Sequence, residues 1–378
     1  MLGNLGEILN ETAKRSSNFE LLRIFAMLMI VACHYSVHGI RHVLFPGLNT
    51  LWLDGTPTNK MFTSFLINGG SIGNGIFFML TGYFMFWKEC KIRRLVKLLC
   101  EVYFYAFLML FVWVFVKFLG INNLSGVGTV SLIINALIPI TSGDWWFVQT
   151  YFLLFLFIPV LNPFLEKLTS KQFIMVLCFV WLFWLAPKIF NFWYSNLQMA
   201  IFFYILGAGL KKSDFTINKW LSLLLFCLVW LALSIMDMNS SFVLSNNTFI
   251  QKIFQAVWNV VTSAALVPLA VVFIFEFCKG LYFSNDFINA VASTTLGVYL
   301  IHDSSVSRPL IWDNIFHCVD VQYKSPYFPF FAIATIIIVF CVSSVIDWLR
   351  QTLFEKKVLS LVNKFIDNFF ADKTDMVK

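Results

Sequence analysis

The sequence predicts an all-α fold, a polytopic membrane helix bundle of about ten transmembrane helices with both termini cytoplasmic. Of its 378 residues, 59% are hydrophobic and only 12% are charged, against about 25% in typical soluble domains. A water-soluble globule cannot bury so much apolar surface. The composition therefore excludes the soluble classes of protein.

Ten apolar runs are long enough to cross a bilayer as helices. The first run follows the basic pair Lys14-Arg15 but contains Arg23 and has no small-residue cleavage site, so we expect a retained span. The shorter run 131–140 is predicted to be a re-entrant or interfacial segment on the outer side. The ten predicted spans are 19–38, 62–87, 96–119, 145–163, 172–187, 197–210, 219–236, 252–275, 287–303 and 328–349.

Basic residues are distributed unevenly over the loops between these spans. With a cytoplasmic N-terminus, 19 of the 27 Lys and Arg residues lie on the inner side, which is the usual bias of membrane proteins. The net charge of +7 thus indicates topology, and no nucleic-acid partner is expected. We divide the chain into a cytoplasmic arm at 1–18, a transmembrane domain at 19–350 and a cytoplasmic charged tail at 351–378.

Arg23 and His34 are the most informative residues of the first span. Eleven helical steps bring them to within roughly 20° of the same face and about 16 Å apart along the axis. Ionisable side chains inside a bilayer are costly unless they face a protein interior or a water-filled cavity, so they indicate a site. The plainer interpretation is that Arg23 reaches towards the headgroups and His34 only packs.

His34 and His38 lie four residues apart, a spacing that suits two metal ligands on one helix. The sequence fixes no third ligand, and the cysteines show no disulfide or zinc spacing, so no metal is expected. An imidazole exchanges protons near neutral pH. Proton transfer is therefore the better interpretation of His34.

Five sequence features occur in order along the chain, and together they resemble the acyltransferase-3 family of bacterial integral-membrane O-acyltransferases. The start of the first span, at 17–23, is most similar to the branch found in capsule and exopolysaccharide gene sets. The resemblance covers nearly the whole chain. The five features are the Arg23-x10-His34 spacing, the run 77–84, the basic turn 91–94, the aromatic run 145–147 and the segment 296–302.

The resemblance implies a multi-pass enzyme of the bacterial cell membrane that moves an acyl group, usually acetyl, from cytoplasmic acetyl-CoA. The implied acceptor is a hydroxyl of a surface polysaccharide or of its lipid-linked precursor. The implied partners also include membrane lipid. His34 would be the general base, while Arg23 would line the donor channel or hold a phosphate or pantetheine carbonyl. No nucleophile elbow is visible, which favours direct transfer. The choice between a monomer and a homo-oligomer stays open.

The basic turn has two interpretations. Lys91, Arg93 and Arg94 could bind the phosphates of CoA, since arginine makes bidentate phosphate contacts. Alternatively, these residues only set the topology. Arg93 and Arg94 are the preferred donor-binding residues.

Residues expected near the acceptor also have two interpretations. Trp145 and Trp146 would stack on a sugar ring or anchor the protein at the interface. Asn74, within the glycine-rich run 68–75, would donate to the acceptor or an oxyanion, although such runs often serve only helix packing. Tyr299 and His302, one turn apart, would orient His34 or the acceptor, or simply pack.

A membrane transporter or flippase of a small polar molecule or glycan is the alternative function. It would use the same buried polar residues as a translocation path. Such proteins more often show inverted repeats with paired broken helices. None is visible in the sequence, so the acyltransferase is favoured.

The predicted topology can be tested by labelling in intact cells. After removal of the native cysteines, a cysteine placed within 305–325 should react with a membrane-impermeant thiol reagent. A cysteine placed between Lys88 and Lys97 should react only after permeabilisation, because the basic-residue bias puts that turn inside. Labelling of this turn from outside would invert the topology.

Overall fold

The computed structural model describes residues 16–41, 56–120, 128–141, 144–190, 196–243, 257 and 260–375. Within these residues the chain is helical and contains no strand. Short π-helical segments extend α1 (Tyr35–Arg41), precede α10 (Val260–Leu266) and follow α13 (Gln351–Glu355). The helices are α1 (Ser17–His34), α2 (Pro57–Ile67), α3 (Gly69–Met85), α4 (Ile92–Phe118), α5 (Thr129–Leu137), α6 (Trp146–Lys167), α7 (Ser170–Phe190), α8 (Asn196–Ser213), α9 (Lys219–Val243), α10 (Val267–Lys279), α11 (Asp286–Ser293), α12 (Thr295–His302), α13 (Phe328–Arg350) and α14 (Lys356–Asp375).

The all-α membrane bundle predicted from composition is confirmed. The count of ten spans and the cytoplasmic location of both termini remain predictions. The run 131–140 lies largely in α5, whose 9 residues are too few for a span. Five helical stretches of the described chain are long and apolar enough to cross a membrane: Ser17–Arg41, Ile92–Phe118, Trp146–Lys167, Lys219–Met238 and Phe328–Lys364.

Two predicted spans are each divided into two helices, which the apolar pattern did not reveal. The predicted span 62–87 is interrupted at Asn68, whose side-chain amide donates to the Ser64 carbonyl at 3.0 Å and to the Ser234 hydroxyl at 3.2 Å. The span 287–303 is interrupted at Thr294, which donates to the Val291 carbonyl at 2.8 Å. Such side chains compete with helical backbone bonds.

Glycines allow α3 to pack closely between α1 and α8. A Cβ atom on Gly69 would overlap the carbonyl of Met29 in α1, and one on Gly82 would overlap the carbonyl of Tyr204 in α8. This is the small-residue packing typical of membrane helices. Helix α1 also contacts α2, α10, α11, α12 and α13. The helix that carries Arg23 and His34 is therefore central.

The segment 303–327 folds over the end of α1. The Tyr35 hydroxyl donates to the Gln322 side chain at 2.7 Å, and the Asn59 amide donates to the Tyr323 carbonyl at 2.8 Å. Cys318 of this segment is buried against Gly39 of the same helix end. This segment encloses the histidines near the end of α1.

The close packing of α3 and α8 leads to a stability prediction. A Cβ on Gly207 would overlap the carbonyl of Met79, so Gly207→Ala should destabilise the protein by about 1–3 kcal/mol. Gly128 has open space around it, and Gly128→Ala should stay within about 0.5 kcal/mol of wild type. Thermal unfolding in detergent measures both variants. Equal transition midpoints would contradict the packing argument.

Candidate active site

A cluster of ionisable side chains forms where α12 meets the end of α1. His34 Nδ1 lies 2.9 Å from His302 Nε2 and 3.4 Å from Asp303 Oδ1. His38 Nε2 lies 3.5 Å from the same carboxylate oxygen. His302 and Asp303 are buried. Two distant parts of the chain thus build one polar site.

The hydrogen bonds of this cluster define which nitrogen atoms carry protons. His302 Nδ1 is 2.5 Å from the Val298 carbonyl oxygen, which can only accept, so Nδ1 carries a proton. In a neutral His302, Nε2 then accepts a hydrogen bond from His34 Nδ1. A neutral His34 with its proton on Nδ1 has a lone pair on Nε2. In this tautomer the Nε2 lone pair is the one that can accept a proton.

Asp303 provides a negative charge beside these histidines. Its Oδ1 accepts a hydrogen bond from Arg308 Nε at 2.7 Å. Its Oδ2 is buried and accepts no hydrogen bond from the described residues. A proton gained by His34 would create an imidazolium whose Nδ1 lies 3.4 Å from this carboxylate. Opposite charges at that separation in a buried site attract strongly.

Asp144 connects the start of α6 to the segment that follows Asp303. Its carboxylate accepts from the Ser305 backbone N–H at 2.9 Å and from the Ser305 hydroxyl at 3.2 Å. Burial raises the pKa of Asp144. The neighbouring Trp145 is only 1% exposed, so its ring is not available for stacking on a sugar, whereas Trp146 is half-buried.

A cavity in two adjoining parts lies between the basic turn and Tyr299, and no histidine of the described chain lines either part. Its first part, about 440 Å³, is lined by Lys88, Arg94 and Arg23 among others. Its second part, about 390 Å³, is lined by Arg23, Phe147 and Tyr299 among others. The Tyr299 ring centroid is 6.4 Å from that of His34. Both parts share five lining residues, Arg23, Leu80, Thr81, Arg94 and Tyr151.

The structure separates the residues of the basic turn. Arg94 lines both parts of the cavity, and Lys97 lines the second. Arg93 instead forms an exposed ion pair with Asp367 of α14 at 2.6 Å. Lys91 is exposed, and neither Lys91 nor Arg93 lines the cavity.

The other predicted site residues have distinct positions. Arg23 pairs with Glu20 at 3.2 Å and lines the cavity. Tyr299 accepts a long hydrogen bond from the Phe147 N–H at 3.5 Å. Asn74 is buried in α3 and does not line the cavity, so the small-residue packing explains its surroundings better than contact with an acceptor. His302 contacts His34, which favours an orienting role.

Sequence reasoning assigned no role to Asp303, Arg308 or the Val298 carbonyl. The available signal was an acidic residue directly after His302 at the end of an apolar segment. Thr81 and Tyr151, which also line the cavity, carry no such signal because they are common in apolar helices.

Comparison with known families identifies the class of protein. A family model described as an acyltransferase domain, that of the acyltransferase-3 family, matches residues 16–347. The chain belongs to this family and is a membrane acyltransferase, which confirms the prediction from its sequence features. No curated protein and no solved structure matches the chain.

Proposed function

We propose that the protein transfers an acyl group, most often acetyl, from cytoplasmic acyl-CoA to a hydroxyl of a cell-surface polysaccharide or its lipid-linked precursor. The proposed setting is the bacterial cell membrane. The observation that carries the proposal is the cavity that connects Arg94 with Tyr299, beside His34. It offers a route between a donor held at the basic turn and a base held at the histidine cluster.

The donor fits this cavity in charge and length. Lys88 and Arg94 provide positive charge for the phosphates of CoA at one end. An extended pantetheine arm spans roughly 15 to 20 Å by chain reach. The axial separation of Arg23 and His34 is about 16 Å. A thioester carried by that arm would reach the depth of His34.

The chemistry follows from the proton positions of the histidine cluster. His34 Nε2 takes the proton of the acceptor hydroxyl while the oxygen attacks the thioester carbonyl carbon. A C–O bond forms, the C–S bond breaks, and the CoA thiolate leaves and receives the proton from His34 Nε2. His302 Nε2 accepts the hydrogen bond from the Nδ1 proton of His34 throughout. The Asp303 carboxylate stabilises the imidazolium that His34 becomes for a short time.

The interrupted helices favour one alternative, a transporter or flippase. Breaks at Asn68 and Thr294 are the kind of feature that lines translocation paths. The two functions differ in their product, because only an acyltransferase consumes the thioester. Release of free CoA thiol that depends on the acceptor therefore separates them.

The proposed base can be tested with His34→Ala. Loss of one general base should reduce acyl transfer by about 10²- to 10⁴-fold, with normal protein level and membrane insertion. The measurements are turnover of the purified protein and mass spectrometry of the surface polysaccharide from cells with each variant. Turnover within about twofold of wild type would exclude His34 as the base.

The control for this experiment concerns His302. In His302→Gln, the amide oxygen can still accept from His34 Nδ1, whereas His302→Ala removes the acceptor. His302→Gln should therefore retain more activity than His302→Ala. The reverse order would contradict the proposed proton positions.

The donor site can be tested with a matched pair of arginines. Arg94→Ala should raise the KM for acyl-CoA by about tenfold or more, because a charged hydrogen bond to phosphate is lost. Arg93→Ala removes the same charge one residue away but outside the cavity, and should change the KM much less. Steady-state kinetics with varied donor measures both. An unchanged KM for acyl-CoA in both variants would leave these arginines with a purely topological role.

A further inference from the structure

His38 takes no part in the proposed reaction, although it belongs to the same cluster. One ligand atom each from His34, His38 and Asp303 lies within 4.8 Å of the others. The carboxylate oxygen is 3.4 Å from His34 Nδ1 and 3.5 Å from His38 Nε2. In a tetrahedral zinc site with bonds of about 2.0–2.1 Å, neighbouring ligand atoms are about 3.3–3.4 Å apart. The distances from the Asp303 oxygen to the two histidine nitrogen atoms therefore suit a bound ion.

We propose that His34, His38 and Asp303 bind a divalent cation of the zinc class and that this cation inhibits acyl transfer. Two imidazoles and one carboxylate form a ligand set typical of zinc, with the fourth position left to water. The sequence alone offered two ligands, His34 and His38. The structure places Asp303 beside them as the third ligand.

The Asp303 oxygen at these distances from the histidines, Oδ1, also accepts a hydrogen bond from Arg308 Nε at 2.7 Å, so a cation bound to Oδ1 would share that oxygen with Arg308. The second oxygen, Oδ2, is buried and accepts no hydrogen bond from the described residues. A buried oxygen without a partner requires an explanation. The guanidinium of Arg308 also opposes a second positive charge, so the expected binding is reversible. The His34 and His38 side chains are 12% and 22% exposed, which leaves the site accessible.

Inhibition follows from the proton positions and rests on the proposed function. His34 Nδ1 cannot donate to His302 and bind a cation at the same time. A cation on Nδ1 leaves the ring proton of neutral His34 on Nε2. That atom is then unable to take the hydroxyl proton. The cation and the base function therefore exclude each other.

Binding is tested first, without any activity measurement. The full-length protein is purified without a polyhistidine tag, and Zn²⁺ binding is measured by calorimetry, with Co²⁺ as a visible-absorption probe. His38→Gln keeps a donor for Asp303 but loses the imidazole, so zinc affinity should fall by at least about tenfold. His317→Asn is the control, because His317 lies outside the cluster and Asn tolerates its left-handed backbone (φ 47°). Equal zinc affinity in wild type and His38→Gln would overturn the site.

The inhibition is tested with the same variants. Zinc should inhibit wild type and His317→Asn, a chelator should reverse this, and His38→Gln should resist the zinc concentration that halves wild-type turnover. Loss of activity on chelation and its return with zinc would overturn the inhibitory role. If His34→Ala stays active, the assignment of His34 as the base fails. The zinc affinity of this variant still tests the proposed cation site. Zinc binding to His34→Ala as tight as to wild type would overturn the site independently.

Discussion

The hydrogen bond between His34 Nδ1 and His302 Nε2 is the interaction on which the candidate site depends. It joins residues that are 268 positions apart in the chain. An imidazole alone in this interior would leave a polar nitrogen without a partner, at a cost in free energy. The Val298 carbonyl fixes the proton of His302, and His302 in turn fixes the proton of His34. The position of the ring proton on a neutral His34 is therefore set by a backbone carbonyl two contacts away.

This arrangement requires α12 to be held firmly against its neighbours. A Cβ on Gly297 of α12 would overlap the Asp347 carboxyl of α13, so only glycine fits there. Asp347 accepts hydrogen bonds from the Tyr105 hydroxyl and from Arg350 Nε, each at 2.6 Å. Buried charges are tolerated when they are paired in this way. The network anchors α12 near one end, while His302 contacts α1 at the other.

The sequence was sufficient for features that depend on one helix. Arg23 and His34 belong to the continuous helix α1, so their shared face followed from helical geometry. The sequence was insufficient to predict the position of a side chain or a helix break that depends on tertiary contacts. Arg93 and Arg94 have the same charge and differ by about 100° around the helix, and only packing places Arg94 in the cavity. The breaks at Asn68 and Thr294 likewise depend on side-chain hydrogen bonds that hydropathy does not register.

The proposed proton transfer and the proposed cation site would use the same atoms of the histidine cluster. Its value for proton transfer depends on His34 Nδ1 being engaged by His302, since that leaves Nε2 free. The same nitrogen, with His38 and Asp303, is spaced for a cation. Arg308 shifts this balance, because its guanidinium neutralises Asp303 and repels a second positive charge. Arg308 thereby favours proton transfer over cation binding at this site.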